Sequence, residues 1–251
     1  MPEIFSLENL LSLLTLTVME IVLGIDNILF ISIVAGKLPP VQRAKARYIG
    51  LSLALGVRVG LLLGITTLVH FTHPLFKIFA YTITAHDIIM LAGGLFLMYK
   101  SISEIHEKLA GHSATEQTHK LLSLRSAIIQ IVLLDVVFSF DSILTAIGIA
   151  KNVWVMILAV VISLFIMMGA SAKVSQFINK YPSIKMLALA FLIMIGFLLV
   201  IDGLPDELHV EVPKGYLYFA MAFAFGVELL NIRVRRKHHE KALGEENKKA
   251  E

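Results

Sequence analysis

The sequence predicts an all-α, polytopic membrane protein. Of its 251 residues, 57% are hydrophobic and 16% are charged, whereas a soluble domain is nearer half apolar and a quarter charged. Several apolar runs approach or exceed the roughly 20 residues that a helix needs to cross a bilayer. These runs are too long for barrel strands, and open sheets cannot cross lipid because their edge groups would stay unpaired. We therefore expect transmembrane helices throughout.

Seven spans follow the apolar runs in chain order. They cover residues 10–35, 48–70, 86–104, 126–149, 153–172, 185–201 and 215–232. The transmembrane domain is thus expected over residues 1–232, followed by a charged cytoplasmic tail, 233–251. The chain contains no cysteine, which excludes disulfides and thiolate metal ligands.

The distribution of Lys and Arg predicts the orientation of the spans. The first, third and fifth connecting loops and the tail carry 18 of the 22 such residues, counting those at span ends. Cytoplasmic segments of membrane proteins are enriched in these residues. We therefore expect the N-terminus outside and the C-terminus in the cytoplasm. The net charge of +3 is explained in the same way, without a nucleic-acid partner.

Two segments repeat one pattern of polar residues, EIVLGIDN at 20–27 and DVVFSFDS at 135–142. Each contains an acid, five further residues, an aspartate and then an amide or hydroxyl residue. The 115-residue offset aligns span one with span four and, less clearly, span three with span six. Because each copy has three spans, an odd number, the second copy enters the membrane from the opposite face. The sequence therefore predicts a 3+3 inverted repeat, 10–104 and 126–201, with the seventh span outside it. This plan recurs in secondary transporters, which bind their substrate near the membrane midplane.

The repeated acids form the candidate site, because a carboxylate inside a bilayer costs about 3 kcal/mol even on insertion scales. At 100° per residue, Glu20 and Asn27 share a helix face, while Asp26 is turned away by about 120°. Gly24 and Ser139 are positions at which the two helices can unwind and free carbonyl ligands. The expected inner ligands of a metal ion are Asp26, Asn27, Asp141 and Ser142. Glu20 and Asp135 are expected as outer ligands, alternate sites or proton carriers. The alternative is that each acid only pairs with a hydroxyl or amine between helices.

Arg58 lies in the middle of span two, where an unpaired cation is not tolerated. We expect one of the four repeated acids as its partner, with Glu20 and Asp135 as the first candidates. Four carboxylates and one guanidinium leave a negative balance, which a divalent cation and a proton nearly cancel and an oxyanion would deepen. Oxygen and amide ligands without sulfur suit Mn²⁺, Mg²⁺ or Ca²⁺.

Other features have simpler interpretations. Glu228 and Asn231, near the cytoplasmic end of span seven, are candidates for an inner gate or for a plain interfacial pair. Small residues recur every four positions along span two, a spacing that favours close helix packing; they are Ser52, Gly56, Gly60 and Gly64.

Four segments resemble the signature segments of TerC-family integral membrane proteins: EIVLGIDNILF, LLDVVFSFDSILTAIGIA, PSIKMLALAFLIMIGF and VPKGYLYFAMAFAFGVELLN. The resemblance implies a bacterial inner-membrane protein of seven helices, related to cation exporters of the LysE type. Members are linked to tellurite resistance, manganese efflux and metalation of exported proteins. Carried over to this sequence, the metal-site acids are Asp26 and Asp141, surrounded by Asn27, Ser142, Glu20 and Asp135.

The leading functional hypothesis is export of a divalent cation, with Mn²⁺ favoured and protons as the candidate coupling ion. No enzymatic activity or resident cofactor is expected. One alternative is a membrane partner that loads metal into exported proteins without transporting it. Another is an intramembrane aspartyl protease, but no GxGD segment accompanies either aspartate. A homo-oligomer and a protein-export partner both remain open.

Overall fold

The structure, a computed structural model, describes residues 6–64, 74–78, 81–110, 122–149, 152–205, 208, 210 and 212–250. Seven helices make up nearly all of this part of the chain. They are α1 (Leu7–Gly36), α2 (Pro40–Leu63), α3 (Ala85–Leu109), α4 (Leu124–Ile149), α5 (Val153–Lys180), α6 (Pro182–Asp202) and α7 (Lys214–Ala250). Between α2 and α3, β1 (Pro74–Ile78) and β2 (Tyr81–Thr84) pair as an antiparallel hairpin that the sequence did not predict.

Six helices in the described part are long and apolar enough to cross a membrane: α1, α2, α3, α5, α6 and residues 214–235 of α7. The remaining helix, α4, has 26 residues and packs between α1 and α2. The predicted class, an all-helical polytopic membrane protein, is confirmed. The seven-span count and the inverted repeat stay predictions.

Local signals in the sequence set where the helices begin. Ser6 caps α1 by accepting a hydrogen bond from the backbone N–H of Asn9 at 3.2 Å. Thr84 and Asp87 form a reciprocal capping box at the start of α3, which satisfies N–H groups that a helix start leaves unpaired. Proline occupies the first position of both α2 and α6, where its fixed φ suits the helix and its missing N–H is not needed.

Helix α2 begins and ends earlier in the chain than the span predicted from hydropathy. The prediction was 48–70, but α2 begins at Pro40 and ends at Leu63. Hydropathy detects only the apolar part of a helix, whereas the polar segment 42–47 contains good helix formers that extend it. At the other end, the Gly64 N–H closes the last turn on the Gly60 carbonyl at 2.9 Å. Residues 65–70 of the predicted span lie outside the described part.

Glycines allow the helices to cross closely. A Cβ on Gly94 of α3 would lie 2.5 Å from the carbonyl oxygen of Gly196 in α6, and a Cβ on Gly196 would lie 2.9 Å from that of Gly94. Gly50 of α2 faces Ile131 of α4 with similarly little space. In lipid, helices associate mainly through such close packing, since the surrounding tails are as apolar as leucine.

Helices from the first half of the chain, α1–α3, pack mainly against helices from the second half, α4–α6. α1 packs on α5 and α4, α2 packs on α4 and α5, and α3 packs on α6. The buried core lies along these contacts. Helix α7 is peripheral: it packs mainly against α6, and Leu217 is its one buried hydrophobic residue among the described side chains.

The small-residue stripe of α2 does not pack as predicted. Ser52, Gly56 and Gly60 are exposed, and a Cβ on Gly56 or Gly60 would meet no described atom within 4 Å. The glycines that permit close crossing lie elsewhere, because which helix faces meet is decided by contacts distant in sequence. Spacing within one helix does not specify them.

Replacing Gly94 with alanine should destabilise the bundle by about 1–3 kcal/mol, because the methyl group would overlap the backbone of α6. The matched control is Gly56→Ala, where the methyl group meets open space and the better helix propensity of alanine adds up to about 1 kcal/mol. Thermal unfolding of both variants in detergent measures the difference. Equal midpoints would contradict the described crossing of α3 and α6.

Candidate functional site

Arg58 is the centre of a buried ion cluster that joins three helices. From α2, its Nη1 donates to Oε2 of Glu20 in α1 at 2.6 Å. Its Nη2 donates to Oδ1 of Asp135 in α4 at 2.7 Å, and its Nε lies 3.2 Å from both carboxylate oxygens of Asp135. The expectation that Glu20 or Asp135 pairs with Arg58 is confirmed, and both acids do so.

Asp135 collects further hydrogen bonds. Asn27 of α1 donates through Nδ2 to Oδ1 at 3.2 Å, and Ser139, one turn along α4, donates through Oγ to Oδ2 at 3.2 Å. Ser142 then donates to the backbone carbonyl of Ser139 at 3.3 Å. A serine four positions after an acid lies on the same helix face, so this spacing is the sequence signal for the role of Ser139, which was missed.

The cluster is almost fully buried. Glu20, Arg58 and Asp135 are 4%, 3% and 6% exposed. Two carboxylates and one guanidinium leave a net charge of −1 among these three side chains. Each ion has short, charge-assisted hydrogen bonds, which are needed to offset the cost of removing it from water. Removing Arg58 would leave two carboxylates unmatched, and removing either acid would remove charge-assisted hydrogen bonds from the guanidinium.

A cavity of about 50 Å³ adjoins the cluster, enough to hold a few water molecules. Glu20, Asn27, Arg58 and Ser142 line one part of it. Asp202, at the end of α6, and Lys214 and Tyr218, at the start of α7, also line it. The Lys214 amine lies 3.7 Å from Asp202 and so links the two helices. Polar groups therefore extend from the buried cluster to the α6–α7 connection.

Asp202, Lys214 and Tyr218 were missed as site residues by sequence reasoning. These residues have no spacing in common with the repeated motifs. They approach the cluster only through the packing of α6 and α7, which no local pattern encodes.

The structure brings together four of the six predicted ligands: Glu20, Asn27, Asp135 and Ser142. The side chains of the other two, Asp26 and Asp141, lie outside what the structure describes, so their ligand role stays a prediction. Among the described side chains, no group of three or more His, Asp or Glu is arranged to hold a metal ion. Arg58 lies between Glu20 and Asp135, the two predicted acids whose side chains are described.

Helices α1 and α4 are not unwound at Gly24 and Ser139, so unwinding at these positions stays a prediction. Both helices run without a break through these positions. Gly24 instead leaves room for the side chain of Met167 in α5, which a Cβ would overlap, and Ser139 holds Asp135. Packing and hydrogen bonding account for the two small residues.

A second ion cluster lies where α1 ends. The Lys37 amine pairs with Glu104 and Glu107 of α3, and Lys185 of α6 pairs with Glu104 at 3.1 Å. Burial acts to lower the pKa of Lys37, but hydrogen bonds and charges from the two glutamates outweigh it and raise its pKa above the ordinary value. Lys37 therefore stays charged at neutral pH. The cluster ties the ends of three helices beside a cavity of about 80 Å³.

Glu228 is not part of either cluster. Its Oε2 accepts a hydrogen bond from Asn231 at 3.2 Å, three residues along the same helix. Neither residue lines the cavity beside Arg58. Glu228 also interacts with Ser183 at the start of α6. Both interpretations, the inner gate and the interfacial ion pair, stay predictions.

Comparisons with known proteins identify relatives along most of the chain. The family described as "Integral membrane protein TerC family" matches residues 5–242. The "UPF0053 inner membrane protein YgdQ" of Escherichia coli (strain K12) is 47% identical over 91% of this chain and 94% of its own length. A "UPF0053 protein" of Haemophilus influenzae is 45% identical over 91% and 95%. The "UPF0053 inner membrane protein YoaE" of Escherichia coli is 46% identical, but over only 43% of its length. No solved structure matches the chain.

Asp135→Asn should destabilise the protein by about 3 kcal/mol, because Asp135 accepts three of the four hydrogen bonds of the buried guanidinium and a hydrogen bond to a charged group contributes about 1.5–3 kcal/mol. The matched control is Glu107→Gln, which removes a carboxylate that is 60% exposed and paired at the surface, where ion pairs contribute at most about 1 kcal/mol. Unfolding in detergent compares the two. A loss for Asp135→Asn no larger than that for Glu107→Gln would contradict the central role of this ion cluster.

Proposed function

The chain belongs to the TerC family of integral membrane proteins, and we propose that it exports a divalent metal cation across the bacterial inner membrane. The observation that carries this proposal is the convergence of Glu20 and Asn27 from α1 with Asp135 and Ser142 from α4 in the interior of the bundle. Buried ionisable residues within a membrane protein mark ion and proton pathways. The cavity beside them supplies space for a passing ion.

The charge of the cluster favours a cation. The described side chains already carry a net charge of −1, and Asp26 and Asp141, if ionised nearby, would make it more negative. Carboxylate, amide and hydroxyl oxygens suit Mn²⁺, Mg²⁺ and Ca²⁺. We propose Mn²⁺ first, because the family resemblance points to manganese. Tellurite is an oxyanion, so a site of net negative charge would repel it.

Alternating access of two inverted repeats is the proposed mechanism. Exchanging α1–α3 with α4–α6 turns the contact of α1 with α5 into that of α4 with α2, and both occur. The contacts α1–α4, α2–α5 and α3–α6 map onto themselves under the same exchange. Such a pattern supports a pseudo-two-fold relation, which is common in secondary transporters. We place the N-terminus outside, from the Lys and Arg distribution, and propose protons as the coupling ion.

Asp26→Asn and Asp141→Asn should each abolish export, since neutral amides hold divalent cations less strongly than carboxylates. Cells lacking the gene would be complemented with each variant, and cellular manganese measured by mass spectrometry. The matched control is Glu8→Gln, which removes an exposed carboxylate from the first turn of the same helix as Asp26. Wild type and the control should restore normal manganese content. Full restoration by Asp26→Asn would remove Asp26 from the ligands.

Flux in proteoliposomes that contain only this protein tests transport directly. Wild-type vesicles loaded with a Mn²⁺-sensitive dye should report entry of Mn²⁺ faster than protein-free vesicles. Tight Mn²⁺ binding without flux would contradict the proposed transport and indicate a metal-loading partner of exported proteins instead.

A further inference from the structure

Arg58 occupies the position between the two described acids that the proposed function needs for a cation. Its three guanidinium nitrogens are directed to Oε2 of Glu20 and to both carboxylate oxygens of Asp135, at 2.6–3.2 Å. Asp135 also accepts hydrogen bonds from Asn27 and Ser139. A metal ion could bind these oxygens only after the guanidinium had withdrawn from them.

The guanidinium and a divalent cation oppose each other's binding to this pair of acids. Glu20 and Asp135 supply two negative charges, of which the guanidinium cancels one. A divalent cation would cancel both and would repel a guanidinium that remained beside it. Arginine cannot remove this repulsion by losing its proton, because it stays charged in proteins. A cation that takes the oxygens held by the guanidinium therefore favours movement of the Arg58 side chain.

The cavity beside Arg58 offers it a second carboxylate. Arg58 and Asp202 line the same space, which extends from the cluster toward the start of α7. Asp202 also lies 3.7 Å from the Lys214 amine. A guanidinium that leaves the two acids therefore has another carboxylate on the wall of the same cavity.

We propose that Arg58 is an internal counter-cation that a divalent cation displaces from Glu20 and Asp135 and that returns as the cation leaves. This proposal rests on the proposed function and adds the means by which the site releases its substrate. Two buried carboxylates alone would hold a divalent cation tightly and release it slowly. The returning guanidinium neutralises the acids and so favours release. Arg58 is a positioning residue, and the cation and the arginine compete for one set of oxygens.

Arg58→Gln tests the competition, with Mn²⁺ as the only added ligand. Binding to purified protein in detergent would be followed through the electron paramagnetic resonance signal of free Mn²⁺. The variant should bind Mn²⁺ about ten-fold more tightly than wild type, or more, because two uncompensated acids attract a divalent cation more strongly. Mn²⁺ should also raise its melting temperature more than that of wild type. Flux through proteoliposomes should be slower, because release is impaired.

The matched control is Arg43→Gln, which removes an arginine from the same helix whose Nε donates to the Leu38 carbonyl at 2.9 Å. It should bind Mn²⁺ as wild type does. If Arg58→Gln does not fold, Arg58→Lys decides, since lysine keeps the charge but lacks the planar fork that reaches both acids. Binding by the folded variant that is no tighter than wild type would overturn the proposal.

The outcomes separate this proposal from the proposed function. If wild type transports Mn²⁺ but the Arg58 variants do not bind it more tightly, the export proposal is supported and the counter-cation proposal is contradicted. If the variants bind Mn²⁺ more tightly but wild type does not transport it, competition between Arg58 and the cation is supported and the export proposal is contradicted.

Discussion

The need to match one buried guanidinium inside a membrane organises the centre of this protein. Arg58 is 3% exposed, and a cation at that depth requires carboxylates within hydrogen-bonding distance. Glu20 and Asp135 supply them from helices 115 residues apart in sequence, so α1, α2 and α4 have to meet at one point. Asn27 and Ser139 then complete the hydrogen bonding of Asp135. The same contact that satisfies the charge therefore fixes how the two halves of the chain pack.

Ion pairs between helices recur at three places in the bundle, and in each an acid meets a basic side chain of another helix. In the described part of the chain these pairs join α6 with α7, α1 with α2 and α4, and the end of α1 with α3 and α6. Helix α5 is linked differently, through Met167, which fills the space left by Gly24. Since apolar contacts between helices are little better than contacts with lipid, these pairs and close crossings are well suited to specify which helix faces meet.

The sequence predicted the helices and the pairing of Arg58 because both depend on strong local requirements. An apolar run of sufficient length has to be helical in lipid, and a charge in the middle of that run has to find a partner. The sequence did not predict the start of α2, the hairpin, the contact of Gly24 with Met167 or the position of Asp202 beside the cavity. Each of these depends on a polar helix extension or on which helices become neighbours. Periodicity within one helix carries neither kind of information.

The charge of the central cluster explains why an arginine there is compatible with cation transport. At an effective dielectric constant near 20, two unit charges about 4 Å apart interact by about 4 kcal/mol. On that scale, two carboxylates attract a divalent cation by about 16 kcal/mol, and a guanidinium left in place repels it by about 8 kcal/mol. Attraction exceeds repulsion even before the guanidinium moves, so the cation can approach the occupied site. Displacement of Arg58 removes this repulsion but gives up the attraction of the guanidinium to the two carboxylates, which is also about 8 kcal/mol, so the two occupants are closely balanced. For an anion at the same distance the signs are reversed: repulsion by the two carboxylates exceeds attraction by the guanidinium, so the cluster would exclude it.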